Sequence, residues 1–387
     1  MWELLLLLLP VAAASGWWVA RRDTRAAASR GPDLSSHYFK GLNYLLNEQP
    51  DKAIEVFIRM LEVDSETVET HLALGNLFRR RGEVDRAIRI HQNLIARPTL
   101  DRQQRTHALL ELGQDYMRAG LLDRAETLFQ ELIDMNEHVE PALRYLIDIY
   151  QQEKDWDRAI PATQKLAAVT GKSRNAVIAH YYCELAEQAR QHGDLERTRQ
   201  LLKEALGSDR ACVRASLLLA DMDMKIGDYG AAMYSLKRVR YQDPDYLSEA
   251  LRPLLECYGK LGQTRDAIAY LTELLCEHNS ITLMLAMAEL LRREQGDHEA
   301  AAFITGQLRT RPSVRGLGRL IELNLASAEN GVRDDLLILR DVVAKLLEDK
   351  PVYKCNNCGF MGKAMHWQCP GCKLWNSVKP VQGVEGE

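Results

Sequence analysis

Apolar positions recur along most of the chain at the spacing typical of helices, and the helical stretches themselves repeat. One small residue returns every 33 to 39 positions between residues 53 and 300. The eight members of this column are Ala53, Ala87, Ala125, Ala159, Thr198, Ala232, Ala267 and Ala300. A fixed period of this length indicates a helical repeat array, in which each unit buries its apolar face on its neighbours.

Two further sets of residues recur at fixed distances before this column. A small or apolar residue stands twelve positions before each member: Gly41, Gly75, Gly113, Ile147, Ala186, Ala220, Leu255 and Ala288. Five positions before it there is often a glycine that allows a turn: Gly82, Gly120, Gly193, Gly227 and Gly262. The columns resemble the tetratricopeptide repeat, a pair of antiparallel helices whose small residues lie where the helices cross. The alternative is an irregular all-helical bundle.

The repeat resemblance implies an all-α superhelical solenoid whose array covers residues 36–312 in about eight units. Units three and five are preceded by extra residues, around 98–105 and 171–175, which predict longer loops or added helical turns. Residues 313–350 keep a helical pattern without the columns. They are interpreted as a degenerate hairpin that caps the array, because terminal repeats are atypical.

In tetratricopeptide arrays the first helix of each unit lines a groove. Carried onto this sequence, the groove positions hold many arginines: Arg79, Arg80, Arg118, Arg144, Arg190, Arg214, Arg252 and Arg292. A guanidinium group binds a carboxylate through two parallel hydrogen bonds, so the groove is a candidate site for an acidic protein segment. A solvated helix face of mixed charge is an equally good interpretation.

Composition and charge narrow the function. The formal net charge is −4, which argues against nucleic-acid binding. The chain contains no phosphate-binding loop or nucleophile elbow, so we expect a protein that is not an enzyme. The histidines His180, His192, His278 and His298 are scattered, and we expect them at the surface or at helix ends.

The eight cysteines form two groups. Cys183, Cys212, Cys257 and Cys276 lie among apolar residues of the repeats and are predicted to be small buried core residues. The other four are Cys355, Cys358, Cys369 and Cys372. They form two C-x2-C pairs separated by ten residues, a spacing that presents four thiolates to one tetrahedral metal ion.

The segment 351–376 resembles a rubredoxin-type module. We expect one iron or zinc ion, and the ligands do not choose between them. His366 is a spare ligand that four cysteines make unnecessary. The aromatic residues Tyr353, Phe360, Trp367 and Trp375 are predicted to form a small core stapled by the metal. Residues 377–387 are interpreted as a loose tail.

Residues 1–20 are interpreted as a transmembrane anchor. Seventeen residues, 4–20, carry no charge, and Arg21 and Arg22 follow at once. Positive charge stays on the cytoplasmic side, which predicts an outer N-terminus and a cytoplasmic chain beyond it. A cleaved signal peptide is the alternative, but no basic residue precedes the apolar run. Residues 21–35 are predicted to be a linker.

The order of anchor, repeats and cysteine module resembles the bacterial lipopolysaccharide assembly protein B family. The likeness rests on the opening leucine run with Trp17 and Trp18, the first repeat, and residues 355–372. It implies a single-pass inner-membrane adaptor that limits lipopolysaccharide synthesis.

The partners implied by this resemblance are a membrane-anchored AAA metalloprotease, the lipid A pathway deacetylase that it degrades, and other lipopolysaccharide assembly proteins. Self-association is left open, and no nucleic acid is expected. Two alternatives remain. One is a scaffold that gathers envelope-synthesis enzymes without promoting degradation, and the weaker one is an iron protein that transfers electrons.

Overall fold

The computed structural model describes residues 32–47, 49–63, 68–278, 280–326, 328–384 and 386. Within these residues no helix is both long and apolar enough to cross a membrane. The predicted anchor, residues 1–20, lies outside them, as does most of the predicted linker. The chain divides into two compact units, Met1–Lys172 and Ser173–Glu387, which are described separately.

The described part of the first unit consists of four helix pairs. The helices are α1 Pro32–Leu46, α2 Pro50–Val63, α3 Val68–Arg81, α4 Val84–Ile95, α5 Arg102–Arg118, α6 Leu122–Asp134, α7 Val139–Glu153 and α8 Trp156–Thr170. The extra residues before the third pair form a longer loop between α4 and α5. Asp101 ends this loop with a capping box, in which its side chain accepts a hydrogen bond from the backbone N–H of Gln104 at 2.7 Å.

The second unit continues with further helix pairs and ends in a small sheet. Its helices are α9 Asn175–Gln191, α10 Leu195–Ser208, α11 Val213–Ile226, α12 Tyr229–Lys237, α13 Val239–Gln242, α14 Leu247–Lys260, α15 Thr264–Glu277, α16 Ile281–Gln295, α17 Asp297–Thr310, α18 Val314–Leu325 and α19 Asn330–Glu348. A 3-10 turn, Pro244–Tyr246, precedes α14. Helices α18 and α19 occupy the segment interpreted as a capping hairpin.

The column of small residues lies where the helices of each pair cross. Every member is buried, with 0–2% of its surface exposed. The preceding column explains why glycine is used there. A Cβ atom at Gly113 would lie 2.6 Å from the ring of Phe129, and one at Gly41 would lie 2.7 Å from Phe57. The predicted close approach of the paired helices is therefore confirmed.

The turn column is also confirmed. All five predicted turn glycines have a positive φ, between 67° and 89°. In the fourth pair Lys154 stands at this position with a φ of 58°. A left-handed conformation is unfavourable for a lysine, so this turn is held by the helices on either side of it.

The scattered cysteines follow the prediction in three cases out of four. Cys183, Cys212 and Cys257 are buried among apolar residues, but Cys276 is exposed. Cys276 lies near the end of α15, where the helix turns its outer face to solvent. The prediction of a buried core position was wrong for this residue.

The chain ends in a three-stranded antiparallel sheet in the order β2-β1-β3. The strands are β1 Tyr353–Cys355, β2 Met361–Gly362 and β3 Val378–Pro380. Strand β3 lies in the segment predicted to be a loose tail, and that prediction needs correction. Its pairing with β1 buries Val378 completely, which gives this short strand an apolar anchor that its sequence alone does not reveal.

Candidate metal centre and groove arginines

The four cysteine thiols of the C-terminal module converge on one point. All four sulfur atoms lie within 4.8 Å of one another. The Sγ atoms are 3.8 Å apart for Cys355 and Cys372 and 3.6 Å apart for Cys358 and Cys369. A tetrahedral zinc site with four sulfur ligands has edges of about 3.8 Å, and a disulfide bond is only about 2.0 Å long. The donor set therefore fits a single tetrahedral metal ion.

Two equivalent turns present these sulfurs. In each turn the amide of the first cysteine, Cys355 or Cys369, donates to the carbonyl five residues further on, at 2.7 and 2.9 Å respectively. The residue after the second cysteine has a left-handed backbone conformation in both turns. It is Gly359 with a φ of 76° in the first and Lys373 with a φ of 59° in the second. The sequence shows the two C-x2-C pairs but not that a lysine performs the role of the glycine.

Hydrogen-bonding groups beside Cys355 and Cys372 favour the thiolate form that a metal ion requires. At Cys358 the amide of Phe360 acts in the same direction, but desolvation and the neighbouring thiols outweigh it and raise the pKa to about 11. The Ser377 hydroxyl lies 3.4 Å from the Cys355 sulfur. This hydroxyl and the amides of Cys358 and Asn357 lower the pKa of Cys355 to about 6. The amide of Leu374 lowers the pKa of Cys372.

The metal centre has a buried side and an open side. Cys355 and Cys369 are buried, whereas Cys358 is exposed and Cys372 is half-buried. Four sulfur ligands would hold iron or zinc, and with all four positions filled by protein a bound ion supplies structural cross-linking. Among the described residues, His366 does not join the group of candidate ligands.

Only half of the predicted aromatic core surrounds the metal centre. Tyr353 and Phe360 pack against the cysteines and Val378, as expected. Trp367 and Trp375 face the repeats of the second unit instead. The ring of Trp367 lies 5.2 Å from Tyr246, and Trp375 contacts α9. The repeats offer these large rings more apolar surface than so small a module can provide.

Polar contacts also attach the module to the repeats. The buried hydroxyl of Tyr246 lies 2.8 Å from the Asn376 side-chain oxygen and 2.9 Å from the Val378 carbonyl, both of which can accept its proton. The Tyr353 hydroxyl donates to Glu249 at 2.6 Å. No sequence signal identifies Tyr246, because its partners follow it by 130 and 132 positions.

His180 contradicts the prediction of a surface or helix-end residue. It lies within α9 and only 3% of it is exposed. Burial, together with the positive charge of Arg214, lowers the pKa of this imidazole to about 3. His180 therefore stays neutral at physiological pH and packs as an aromatic ring.

Four of the eight groove arginines lie in the first unit. Arg79 is held by the carboxylates of Glu111 at 2.6 Å and Asp115 at 2.7 Å. Arg80 and Arg118 are exposed and form no ion pair with the described residues. Both lie beside a cavity, together with Arg79.

Most of the remaining arginines have carboxylate partners. The pairs are Arg144 with Glu140, Arg190 with Asp221, Arg214 with Glu184 and Glu187, and Arg292 with Glu289. Arg214 is buried, and its guanidinium lies 6.0 Å from the ring of Trp375. Arg252 is exposed, forms no ion pair with the described residues, and lines a cavity of about 750 Å³ on α14 and α16.

Comparison with known proteins agrees with this architecture. Residues 353–380 match the rubredoxin metal binding domain, and residues 70–106, 110–175 and 189–256 match tetratricopeptide repeat families. The chain is 41% identical over 354 residues to lipopolysaccharide assembly protein B of Escherichia coli (strain K12), covering 91% of each chain. The chain belongs to the lipopolysaccharide assembly protein B family.

A second member of the lipopolysaccharide assembly protein B family, from Haemophilus influenzae, is 38% identical over 362 residues, again covering 91% of each chain. Solved tetratricopeptide structures are more distant. For the P58(IPK) TPR domain the TM-score is 0.25 at 17% identity, over 82% of this chain and 99% of that chain.

Proposed function

We propose that this protein is an inner-membrane adaptor that regulates lipopolysaccharide synthesis. It promotes degradation of the lipid A pathway deacetylase by a membrane-anchored AAA metalloprotease. The observation that carries the proposal is the 41% identity, over 91% of the chain, to a protein named for lipopolysaccharide assembly. The specific protease and substrate come from the family resemblance.

A binding role suits the architecture of the described residues. Tetratricopeptide helices present side chains from successive repeats along one surface, and three of the predicted groove arginines have no carboxylate partner within the part of the chain that the structure describes. The four-cysteine module is built to hold a structural metal ion and is attached to the repeats. These features support a protein that binds other proteins and is not itself an enzyme.

The proposed location follows from residues 1–20. They act as a single membrane-spanning anchor, with the N-terminus in the periplasm and the remaining chain in the cytoplasm. Anchoring raises the effective concentration of the repeats near other membrane proteins, including further lipopolysaccharide assembly proteins and second copies of this chain.

The half-life of the lipid A deacetylase, with and without this protein, tests the proposal. Depletion should lengthen the half-life, and restoring the full-length protein should shorten it again. An unchanged half-life would contradict the adaptor mechanism. If the lipopolysaccharide enzymes then copurified with one another only from cells that contain this protein, the scaffold alternative would replace it.

A further inference from the structure

The first unit contains a cavity of about 660 Å³. Side chains of α3, α5 and α7 line it, including Arg80, Arg118 and Tyr145. Arg80 and Arg118 are the exposed cations of this cavity, and neither has an ion-pair partner among the described residues. Unpaired guanidinium groups at a cavity wall indicate a site for anionic groups.

A third arginine in the wall is already neutralised. Arg79 donates to Glu111 at 2.6 Å, to Asp115 at 2.7 Å and to the Gln114 side chain at 3.3 Å. Because two carboxylates balance its charge and fix its position, Arg79 is not available to an anionic ligand. The charge available to a ligand therefore comes from Arg80 and Arg118.

These two arginines occupy the same place in successive repeats. Each stands five residues after the small residue of its repeat, Gly75 or Gly113, and so lies in the last turn of its helix. The equivalent residue of the next repeat is Gln152, which also lines the cavity. Packed helices are about 8–10 Å apart, so the axes of the two helices that carry these positive positions are separated by about this distance.

One peptide conformation matches this separation. A segment in the polyproline II conformation has three residues per turn and rises about 3.1 Å per residue. Its residues i and i+3 therefore lie on the same side, about 9 Å apart. Two acidic residues at this spacing would pair with Arg80 and Arg118, and Met117 and Tyr145, which also line the cavity, offer apolar contact.

We infer that this cavity binds an extended, acidic segment of a partner protein that carries two carboxylates three residues apart. The inference rests on the proposed adaptor function, which requires a partner-binding surface. A nucleic acid fits less well, because Asp148 lies among the lining residues and would repel a continuous phosphate backbone. A peptide can place an uncharged residue opposite Asp148, whereas every nucleotide of a nucleic acid carries a negative charge.

The test measures binding of a fluorescein-labelled peptide to the full-length, metal-loaded protein. The probe is a proline-rich peptide with two glutamates three positions apart, and its control replaces both glutamates with glutamine. The variant is Arg80→Glu with Arg118→Glu. The matched control is Arg89→Glu with Arg105→Glu, which makes the same charge change at exposed residues of the first unit outside the cavity lining.

We expect the glutamate peptide to bind the native protein at least about tenfold more tightly than the glutamine peptide, since each charge-assisted contact contributes appreciably. The cavity variant should lose this difference, and the control variant should keep it. Equal weakening in both variants would identify a general charge effect and overturn the site. Failure of the native protein to prefer the glutamate peptide would also overturn it.

Further measurements distinguish loss of the site from misfolding of the variants, from lipid binding, and from failure of the proposed adaptor mechanism. Thermal unfolding of both variants within a few degrees of the native protein shows that exposed substitutions leave the fold intact. Binding to vesicles containing an anionic phospholipid, weakened only in the cavity variant, would assign the site to lipid headgroups and refute a protein segment. Peptide binding together with an unchanged deacetylase half-life would refute the adaptor mechanism but leave the acidic-segment site standing.

Discussion

Trp375 stacks on His180, with 5.1 Å between the ring centroids and 21° between the ring planes. The two residues join the second cysteine turn of the metal module to the middle of α9. Tyr181 meets the same indole edge-on, with 5.9 Å between the centroids. A stack of this kind contributes about 0.5–1.5 kcal/mol beyond the burial of its surface. The module is thus attached by ring packing as well as by hydrogen bonds.

The buried His180 predicts a pH dependence of stability. Its pKa is lowered to about 3 in the folded protein, whereas an unfolded histidine has a pKa of about 6.5. Between these values the unfolded chain binds one more proton at this site. Stability should therefore fall as the pH drops from about 6.5, by up to about 1.4 kcal/mol per pH unit.

Replacing His180→Phe keeps an aromatic ring and removes this titration. Urea unfolding of the variant between pH 4.5 and 6.5 should show a shallower pH dependence than the native protein. The matched control is the same substitution at the exposed His298, His298→Phe. Identical slopes for the native protein and His180→Phe would contradict the assignment of a buried neutral imidazole.

The repeat architecture could be predicted because it is encoded locally. The small residues such as Ala87 and the turn glycines such as Gly120 act within one helix pair, and their period is visible in the chain. The metal ligands are equally local, since Cys355 and Cys372 are only 17 positions apart. The residues that form such short-range contacts are close together in the sequence, so their spacing alone predicts the local structure.

The attachment of the module could not be predicted, because it depends on contacts between distant residues. From the sequence, Trp367 and Trp375 could belong to a small core within the metal module or pack against the repeats. Only the folded structure shows that they contact Tyr246 and His180. The same limit applies to the groove. Whether Arg79 or Arg80 is free depends on carboxylates more than 30 positions away.

Tyr246→Phe should weaken the attachment of the module. The hydroxyl is fully buried, and its removal leaves Asn376 and the Val378 carbonyl short of a donor. We expect a loss of about 1–2 kcal/mol in the free energy of unfolding of the second unit, measured by urea denaturation. Tyr241→Phe, at a residue that is 80% exposed, should cost far less. Equal losses would show that the buried hydrogen bonds are not the cause.

A buried polar pair replaces an aromatic contact in the first unit. Asp115 is fully buried and bridges Arg79 at 2.7 Å and the Nδ1 atom of His91 at 2.5 Å. His91 occupies the column position filled by Phe57 and Phe129 in the neighbouring repeats. The pair therefore joins α4 to α5 where other repeats use apolar packing alone.

His91→Phe should destabilise the first unit by about 3 kcal/mol, because it removes a partner from the buried Asp115 carboxylate. The double variant His91→Phe with Asp115→Leu replaces both groups with apolar ones, and Leu77 already fills the place of Asp115 in the preceding repeat. Its loss should be smaller than the sum of the single losses by at least about 1 kcal/mol, measured by urea unfolding. Strict additivity would show that the two residues are not energetically coupled.

Cys372→Ser should release the metal module from the repeats. The substitution removes one of four converging sulfurs, and the free energy of metal binding at such a site is folding free energy. Trp375 and Asn376 follow Cys372 by three and four positions, so their contacts with His180 and Tyr246 should be lost with the metal.

Three measurements on the full-length protein follow this release: metal content by elemental analysis, tryptophan emission, and limited proteolysis. The variant should bind little iron or zinc, shift its emission to longer wavelength, and become cleavable between residues 350 and 384. Cys276→Ser changes an exposed cysteine outside the site and should behave like the native protein. A Cys372→Ser protein with full metal content and intact protease resistance would contradict the requirement for all four cysteines. Three thiolates and the ring contacts would then suffice to hold the module.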